Sequence, residues 1–488
     1  GLAAPVMHRG RLETARGIVE NAVTHAARAR QRAATLLAPR SPQNEGAFSI
    51  SNYVRGQSTP AVTYRAKPAR GLVRIPLRAG WRQALPDTDD LTLTDGTGTS
   101  RPAAVLDDGT RPELLYIETI GPTDRRTYRV ETATDEAPPG HVRMSADALG
   151  NQHLTLHFNR ALEPTDLIPT GDATEREGIA DTPFIESSVR FRNQTSTVTR
   201  WQRVDRTLAA AGHLGWLIVE GTLDLPTKPV QQVSIRRQYL VTDGCPYLYV
   251  TTEITYPATR PARMQTDLAH QLQRSYDARW QEVRPCELRP RLSVREDNPL
   301  RIWKHNYIGD VTHYDLEQSW ILRTGASPAI NNHVTAGWVA ASDQERGILV
   351  AQSTDDAVSM AFCPLRLHHE GSELALRMNP FGSYTGPQRR YPTAETGLGR
   401  RMAVWMAETL RPHAPSYAGH RERFSLLIAP YRGDAPPDTL QADAEAFAYP
   451  HVVIPHAPWI APPRTLRWPS DEEGDTPVPA RYHIQDER

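Results

Sequence analysis

One stretch of the sequence, Trp303–Trp320, is dense in side chains that can do chemistry, with two His, two Asp, one Glu, two Tyr and two Trp in eighteen residues. Aromatic rings stack on the C–H faces of sugars, while carboxylates and imidazoles hydrogen-bond the hydroxyls. The mixture therefore indicates contact with carbohydrate. The candidate sugar contacts are Trp303, Tyr307 and Asp315, and the candidate catalytic groups are His305, Asp310 and His313.

Two other interpretations of this stretch stay open. Asp310, His313 and Asp315 have side chains that could bind a metal ion, although their spacing matches no metal-binding motif known to us. The third interpretation is a polar loop that lies over a sheet, with Trp303 and Trp320 filling the core.

A second group of residues has the side-chain types that a polysaccharide lyase uses. It consists of Asn331, Asn332, His333 and Trp338, together with Tyr384 and Arg389 further along the chain. A lyase needs a base near the sugar C5 and a cation or amide that neutralises the uronate. His333 and Tyr384 would act in catalysis, and the others would contact the substrate. The alternative for residues 380–386 is a glycine-hinged loop without a catalytic role.

Charge and composition exclude several classes of protein. The 488-residue chain has 56 Lys and Arg against 56 Asp and Glu, so it lacks the basic excess of a nucleic-acid-binding protein. No apolar run reaches the roughly eighteen residues of a transmembrane helix. Cys245, Cys286 and Cys363 are odd in number and widely spaced, which fits neither a disulfide framework nor a zinc-binding pair. The predominance of Arg over Lys is typical of a GC-rich bacterial genome, and export to the cell envelope is one hypothesis for its location.

The pattern of apolar residues predicts a mainly β fold behind one helix. Apolar residues at steps of three and four over Arg11–Leu37 predict a helix that Pro39 ends. Short alternating runs with turn signals such as Asp95-Gly96 come next, which is typical of antiparallel sandwiches. Strands predicted further along the chain include Leu214–Leu225 and Glu373–Met378. We predict a helical segment at 1–38, a small β-sandwich at 39–135, a large antiparallel β-supersandwich at 136–454 and an extended C-terminal arm at 455–488.

Several segments carry a family resemblance through their pattern and order. They are Phe48–Asn52, Leu72–Leu77, Leu91–Gly98, Glu113–Ile117, Arg126–Val130, Gly347–Val350 and Phe424–Pro430. Behind the predicted helix, this order resembles the middle and C-terminal β-sandwich portion of glycoside hydrolase family 38, the α-mannosidases. The resemblance spans most of the chain.

The resemblance implies that catalysis involves a part of the enzyme that this chain lacks. In the family the zinc ion and the carboxylate nucleophile belong to an N-terminal α/β domain, which would precede residue 1. We therefore expect no cofactor and no metal ligand in this chain, since His8 is followed by Arg9 where the family has a His-Asp pair. The chain would bind glycan and complete a sugar cleft together with a second protein chain or as an oligomer. The alternatives are an autonomous lyase and a non-catalytic structural or cell-envelope glycan-binding protein.

Overall fold

The architecture of the chain is given by a computed structural model. It describes residues 49–53, 69–77, 85, 90–107, 112–120, 125–133, 138–170, 180–191, 194–198, 200–225, 227–228, 230–255, 263–264, 282–292, 300–305, 311–315, 332–334, 337–353, 366–370, 373–378, 421–448 and 452–456. The predicted N-terminal helix lies outside these residues, as does the predicted arm beyond residue 456. No helix in the described ranges has the length and hydropathy needed to cross a membrane.

Six strands from the first part of the chain and one from residues 452–456 form a small antiparallel sheet in the described residues. In chain order they are β1 (Ser49–Tyr53), β2 (Ala69–Pro76), β3 (Asp90–Asp95), β4 (Ser100–Leu106), β5 (Glu113–Ile120), β6 (Arg125–Thr132) and β28 (Val452–His456). Their spatial order is β2-β5-β4-β3-β6-β1-β28. The strand nearest the C-terminus therefore pairs with the first described strand, with Ser51 opposite Ile454. The predicted domain bounds at 39, 136 and 455 stay predictions.

Two shorter antiparallel sheets come next. One has four described strands, β7 (Arg143–Met144), β8 (Ala148–Gly150), β9 (Leu154–Phe158) and β10 (Pro164–Pro169). The other pairs β15 (Thr227–Lys228) with β18 (Arg263–Met264). In β9 the residues Leu154, Leu156 and Phe158 are buried and alternate with more exposed ones, which is the pattern of a strand with one face on a core.

A six-stranded antiparallel sheet in the described residues, called the third sheet below, forms an outer layer of the molecule. Its described strands are β11 (Ala180–Phe191), β12 (Gln194–Thr197), β19 (Glu282–Pro290), β22 (Asn332–Val334), β25 (Arg366–Glu370) and β26 (Glu373–Met378). Their spatial order is β12-β11-β19-β26-β25-β22. Strand β19 falls in a stretch rich in Arg and Pro, a composition that favours a connection between strands. It is a strand because Cys286 and Leu288 are buried in the core.

The largest sheet has nine described strands and forms the middle layer. Its members are β13 (Trp201–Ala209), β14 (Leu214–Leu225), β16 (Gln231–Thr242), β17 (Leu248–Thr255), β20 (Arg301–His305), β21 (Val311–Asp315), β23 (Trp338–Ser342), β24 (Arg346–Gln352) and β27 (Arg421–Arg432). Their spatial order is β13-β14-β16-β17-β27-β24-β23-β20-β21. The predicted mainly β, antiparallel fold class is thus confirmed.

The two faces of this nine-stranded sheet pack on different neighbours. On one face Val219, Val250 and Phe424 join a core with Phe184 and Leu288 of the third sheet. On the other face a second core combines side chains of the large sheet, the small sheet and a helix; its members include Trp216, Leu240, Tyr249, Leu427, Ala104, Leu115, Leu440 and Ala444. Because both faces are covered, β23 is buried at all five positions and its sequence reads as an almost continuous apolar run.

The helix that covers the second face, α1 (Asp438–Ala448), was not predicted from the sequence. Its buried positions Leu440, Ala444 and Ala448 recur every four residues, which places them on one face. Asp443 lies on the same side and is also buried. Burial raises the pKa of its carboxyl, although hydrogen bonds from the Tyr247 hydroxyl and from a backbone N–H partly oppose the rise.

Side chains of the second core also protect an edge of the small sheet. Strand β2 lies at that edge, and its outward N–H groups would otherwise be free to pair with another chain. The Arg70 N–H donates to Asp443 Oδ1 at 2.7 Å, and the Leu72 N–H donates to the Tyr249 hydroxyl at 3.1 Å. The large sheet and α1 therefore take the place of a neighbouring strand.

This protection can be measured with a matched pair of tyrosine variants. Tyr249→Phe removes the acceptor of the Leu72 N–H, and we expect it to lower the free energy of unfolding by about 1–2 kcal/mol. Tyr128 is the control, because its buried hydroxyl has no hydrogen-bond partner among the described residues. Tyr128→Phe should leave stability unchanged or slightly raised. Equal urea midpoints for the two variants would contradict the edge-protection argument.

Candidate functional site

The hairpin of β20 and β21 holds the described part of the predicted sugar-contact stretch. It forms the outer edge of the nine-stranded sheet in the described ranges. Antiparallel pairing places Trp303 directly opposite His313, and their rings stack with centroids 4.4 Å apart and an angle of 26°. Trp303 is half-buried and His313 is exposed. The pair forms a flat ring surface that solvent reaches from the His313 side.

A second ring pair lies deeper in the same sheet. His305 stacks on Trp338 of β23 with centroids 6.1 Å apart and an angle of 16°. Both side chains are almost completely buried. Trp338 belongs to the second core, so it supports the hairpin from beneath. Its predicted role as a substrate contact stays a prediction.

Charged groups flank the stacked rings. Arg301, two residues before Trp303, forms an ion pair with Asp434, which follows β27. Both side chains are about one-third exposed, at 28% and 32%. The turn that carries Asp434 is held by the Ser342 hydroxyl, which donates to the Gly433 carbonyl at 3.0 Å. The two rings and the Arg301 guanidinium therefore belong to the edge hairpin. The Asp434 carboxylate reaches Arg301 from a turn that a hydrogen bond holds in place.

Of the other predicted residues, Asp315 belongs to the same hairpin, where it lies on β21 opposite Arg301. Asn332 and His333 lie on β22 in the third sheet, where they pair with β25, so their strand belongs to a different layer from Trp303. The remaining predicted site residues lie outside the described ranges; they are Tyr307, Asp310, Asn331, Tyr384 and Arg389. The lyase arrangement of His333 with Tyr384 and Arg389 therefore stays a prediction.

The metal that the family resemblance implies has no set of ligands in the described residues. No group of three or more His, Cys, Asp or Glu side chains among them is placed to hold a metal ion. The part of the chain that the structure describes therefore does not fit a zinc site.

Sequence reasoning missed a row of alternating charges that crosses the large sheet. The row, here called the charge ladder, consists of Glu220, Arg236, Glu253, Arg423, Glu113 and Arg74. The first four lie opposite one another on β14, β16, β17 and β27. The last two belong to β5 and β2 of the small sheet. Opposite charges on directly facing strands stabilise a sheet, and here the row continues into a second sheet.

The ladder joins the two sheets through short contacts. Arg236 Nη1 lies 2.9 Å from Glu220 Oε1, and Arg423 Nε lies 3.7 Å from Glu253 Oε1. The junction is Glu113, whose Oε1 is 2.8 Å from Arg423 Nη2.

The other oxygen of Glu113 binds the small sheet's own arginine. Arg74 Nε donates to Glu113 Oε2 at 3.0 Å, and Arg74 Nη2 donates to Gln238 Oε1 of the large sheet at 2.9 Å. Burial by itself raises the pKa of Glu113, but the charges of Arg74 and Arg423 outweigh it and lower the pKa from 4.5 to about 2. Glu113 is therefore a buried anion between two cations.

Part of this ladder has a signal in the sequence and part has none. Glu220, Arg236 and Glu253 lie on three strands that follow one another closely, so their pairing could be tested by aligning charges across predicted hairpins. Arg423 lies far along the chain from its partners; the neighbouring contact of Arg421 with Glu253 spans 168 residues. Glu113 belongs to a different sheet. No local pattern connects Arg423 and Glu113 to the others.

Comparisons with known proteins find solved structures with a similar fold but no match to the sequence. No protein-family model matches the chain. No curated protein matches it either. Among solved structures, a protein in glycosyl hydrolase family 38 from Enterococcus faecalis matches with a TM-score of 0.46 and 10% identity, over 85% of this chain and 48% of its own. An alpha-mannosidase from Enterococcus faecalis matches with a TM-score of 0.49 and 10% identity, over 85% of this chain and 46% of its own.

The first of these structures is assigned to the family that the order of sequence segments resembles. This chain spans about half the length of each of them. At 10% identity and with TM-scores below 0.5, the likeness says nothing about activity or substrate.

Proposed function

We propose that this chain is a carbohydrate-binding β-sandwich module related to the glycoside hydrolase family 38 α-mannosidases. The observation that carries the proposal is the stacked pair of Trp303 and His313 at an accessible sheet edge. The order of sequence segments supplies the substrate class, α-linked mannosides, as the first to test.

The edge hairpin offers the two kinds of contact that a sugar needs. The ring surface formed by Trp303 and His313 suits the apolar face of a pyranose. Arg301 and Asp434 lie beside it and can bond hydroxyl groups, the first as a donor and the second as an acceptor. Because His313 already stacks on Trp303, which the strand pairing holds in place, little conformational entropy is lost when a sugar stacks on the exposed face of His313.

Binding can be measured by calorimetric titration with α-mannobiose and with soluble α-mannan. We expect His313→Ala to weaken binding about two- to tenfold, since an aromatic stacking contact contributes about 0.5–1.5 kcal/mol. Trp303→Ala should weaken it at least as much. Because Trp303 also packs in the second core, the exposed His313 is the variant that separates binding from folding.

The control is a histidine far from the hairpin. His157→Ala changes a half-buried histidine on β9 of the four-stranded sheet and should bind like the unmodified chain. The proposal is wrong if His313→Ala binds as tightly as His157→Ala, or if the unmodified chain binds neither mannoside.

The predicted second chain has its own test. Purification from the native source, followed by mass analysis, should show a polypeptide that travels with this chain and supplies hydrolysis of a nitrophenyl α-mannoside. If the chain purifies alone and still hydrolyses the mannoside, the proposal that a second polypeptide supplies hydrolysis is wrong. The titration tests glycan binding at the hairpin separately.

A further inference from the structure

A cluster of two histidines and one aspartate lies where the small sheet connects to the rest of the chain. Asp243 lies in the turn between β16 and β17. Its Oδ1 is 3.1 Å from His141 Nδ1, and its Oδ2 is 3.0 Å from His213 Nδ1. His141 is mostly exposed, whereas His213 and Asp243 are largely buried, with side chains 19% and 18% exposed.

The second nitrogen of His213 also has a partner. Nε2 lies 2.9 Å from the backbone carbonyl of Pro138. A carbonyl oxygen only accepts hydrogen bonds, so Nε2 must carry the proton. Nδ1 faces a carboxylate, which also accepts only, so a bare Nδ1 would turn its lone pair toward a negative oxygen. Both contacts are favourable together only when the imidazole is doubly protonated.

Two backbone hydrogen bonds, here called the zipper, lie next to these side-chain contacts. The Gly140 N–H donates to the Ala211 carbonyl at 2.9 Å, and the Val142 N–H donates to the Gly212 carbonyl at 3.0 Å. Together they fasten the linker, residues 138–142, to the 3₁₀ turn Ala210–Gly212. The approach is so close that a Cβ at Gly140 would overlap the Gly212 carbonyl.

The zipper is tied to the small sheet as well. The Ala210 N–H donates to Asp90 Oδ1 of β3 at 2.5 Å. Release of the 3₁₀ turn would therefore also loosen the contact between the two sheets.

Other groups near the cluster set its electrostatic surroundings. Burial raises the pKa of Asp243, but hydrogen bonds from His141 and Gln152 and the charges of the two histidines lower it overall, so Asp243 is an anion near neutral pH. The Arg70 guanidinium of β2 lies against Gly244 in the same turn. The turn also carries the buried Cys245, and Asp90 approaches from β3.

We propose that His213 and Asp243 form a proton-dependent latch that holds the linker 138–142 on the 3₁₀ turn and so couples the small sheet to the large one. When His213 is protonated, it bridges the Pro138 carbonyl and the Asp243 carboxylate. When His213 loses a proton, one of the two contacts is lost and the zipper opens more often. The latch goes beyond glycan binding and is independent of the hairpin.

Hydrogen exchange of the full chain, followed by mass spectrometry, tests the latch. Peptides that cover 138–145 report the Gly140 and Val142 amides, and peptides from β17 serve as a core reference. After correction for intrinsic exchange, we expect protection of the linker to be about tenfold lower at about pH 8 than at about pH 5.5. Protection of β17 should stay the same.

Two variants should remove the pH dependence for different reasons. His213→Gln cannot gain a charge, and Asp243→Asn removes the anion, so each should give the same low protection of the linker at both pH values. His157→Gln is the control and should keep the tenfold change. The latch is excluded if the unmodified chain shows equal protection at both pH values, or if His213→Gln keeps the change while β17 stays protected.

Discussion

Glu113→Gln is expected to lower the free energy of unfolding by about 3 kcal/mol at neutral pH. The carboxylate lies between Arg74 and Arg423 and is buried. The amide keeps the shape of the side chain but removes the charge, so two partly buried guanidinium groups lose their common partner. Breaking a buried ion pair on one side is costly because the remaining charge is left uncompensated.

The same change should have a distinctive dependence on pH. The pKa of Glu113 is lowered from 4.5 to about 2 in the folded protein. A carboxyl with a lowered folded pKa adds stability above its unfolded pKa and loses that contribution as pH falls toward the folded value. The unmodified chain should therefore lose stability between about pH 4.5 and pH 2, and Glu113→Gln should lose less over that range.

Urea denaturation at several pH values checks both statements, with Glu131→Gln as the matched control. Glu131 is 47% exposed and lies 3.7 Å from Arg129, and a surface pair of this kind contributes about 0.5 kcal/mol or less. If Glu113→Gln destabilises the chain no more than Glu131→Gln does, the charge ladder does not hold the two sheets together.

Asn151→Ala is expected to cost about 3 kcal/mol, because one buried amide satisfies four backbone groups. Its Nδ2 donates to the carbonyls of Thr242 and Cys245 at 2.7 and 2.8 Å. Its Oδ1 accepts the N–H groups of His153 and Leu154 at 2.8 and 3.0 Å. Alanine removes all four partners at once and leaves buried donors and acceptors unpaired.

Asn159 provides the comparison for this variant. Its Oδ1 also accepts two nearby N–H groups, from Ala161 and Glu163, but it is only partly buried and binds no distant segment among the described residues. We expect Asn159→Ala to cost about 1 kcal/mol. If the thermal or urea midpoint of Asn151→Ala matches that of Asn159→Ala, the hydrogen bonds from Asn151 to the β16–β17 turn do not contribute to stability.

Local patterning was enough to find many of the strands. The predicted runs Leu214–Leu225 and Glu373–Met378 have the same bounds as β14 and β26. Alternation and turn residues act over a few positions, so they can be read without knowing what a strand packs against. The same reasoning missed α1, because its buried face has only three apolar residues and also contains the charged residue Asp443.

In the candidate site, the sequence shows which residue types lie close together along the chain, and the tertiary structure shows which of them are exposed. The sequence identified Trp303 and His313 as an aromatic and a polar ring in one short stretch, and strand pairing brings them into contact. It did not distinguish Trp303 from Trp338, which is fully buried. Burial depends on the layers above and below a strand, and those layers come from distant segments such as α1 and the small sheet.

The sequence by itself determined the class of the fold, the strand-rich order of its segments and the neutral overall charge, because each of these is a property of composition or of spacing along the chain. Only the tertiary structure decided which residues meet: Glu113 with Arg423, His213 with Asp243, and the small sheet with α1. The physical reason is that antiparallel sheets stacked in layers join side chains that are far apart in the sequence. The energy of such contacts depends on how deeply the side chains are buried and on which charges face them. The order of residues along the chain contains neither.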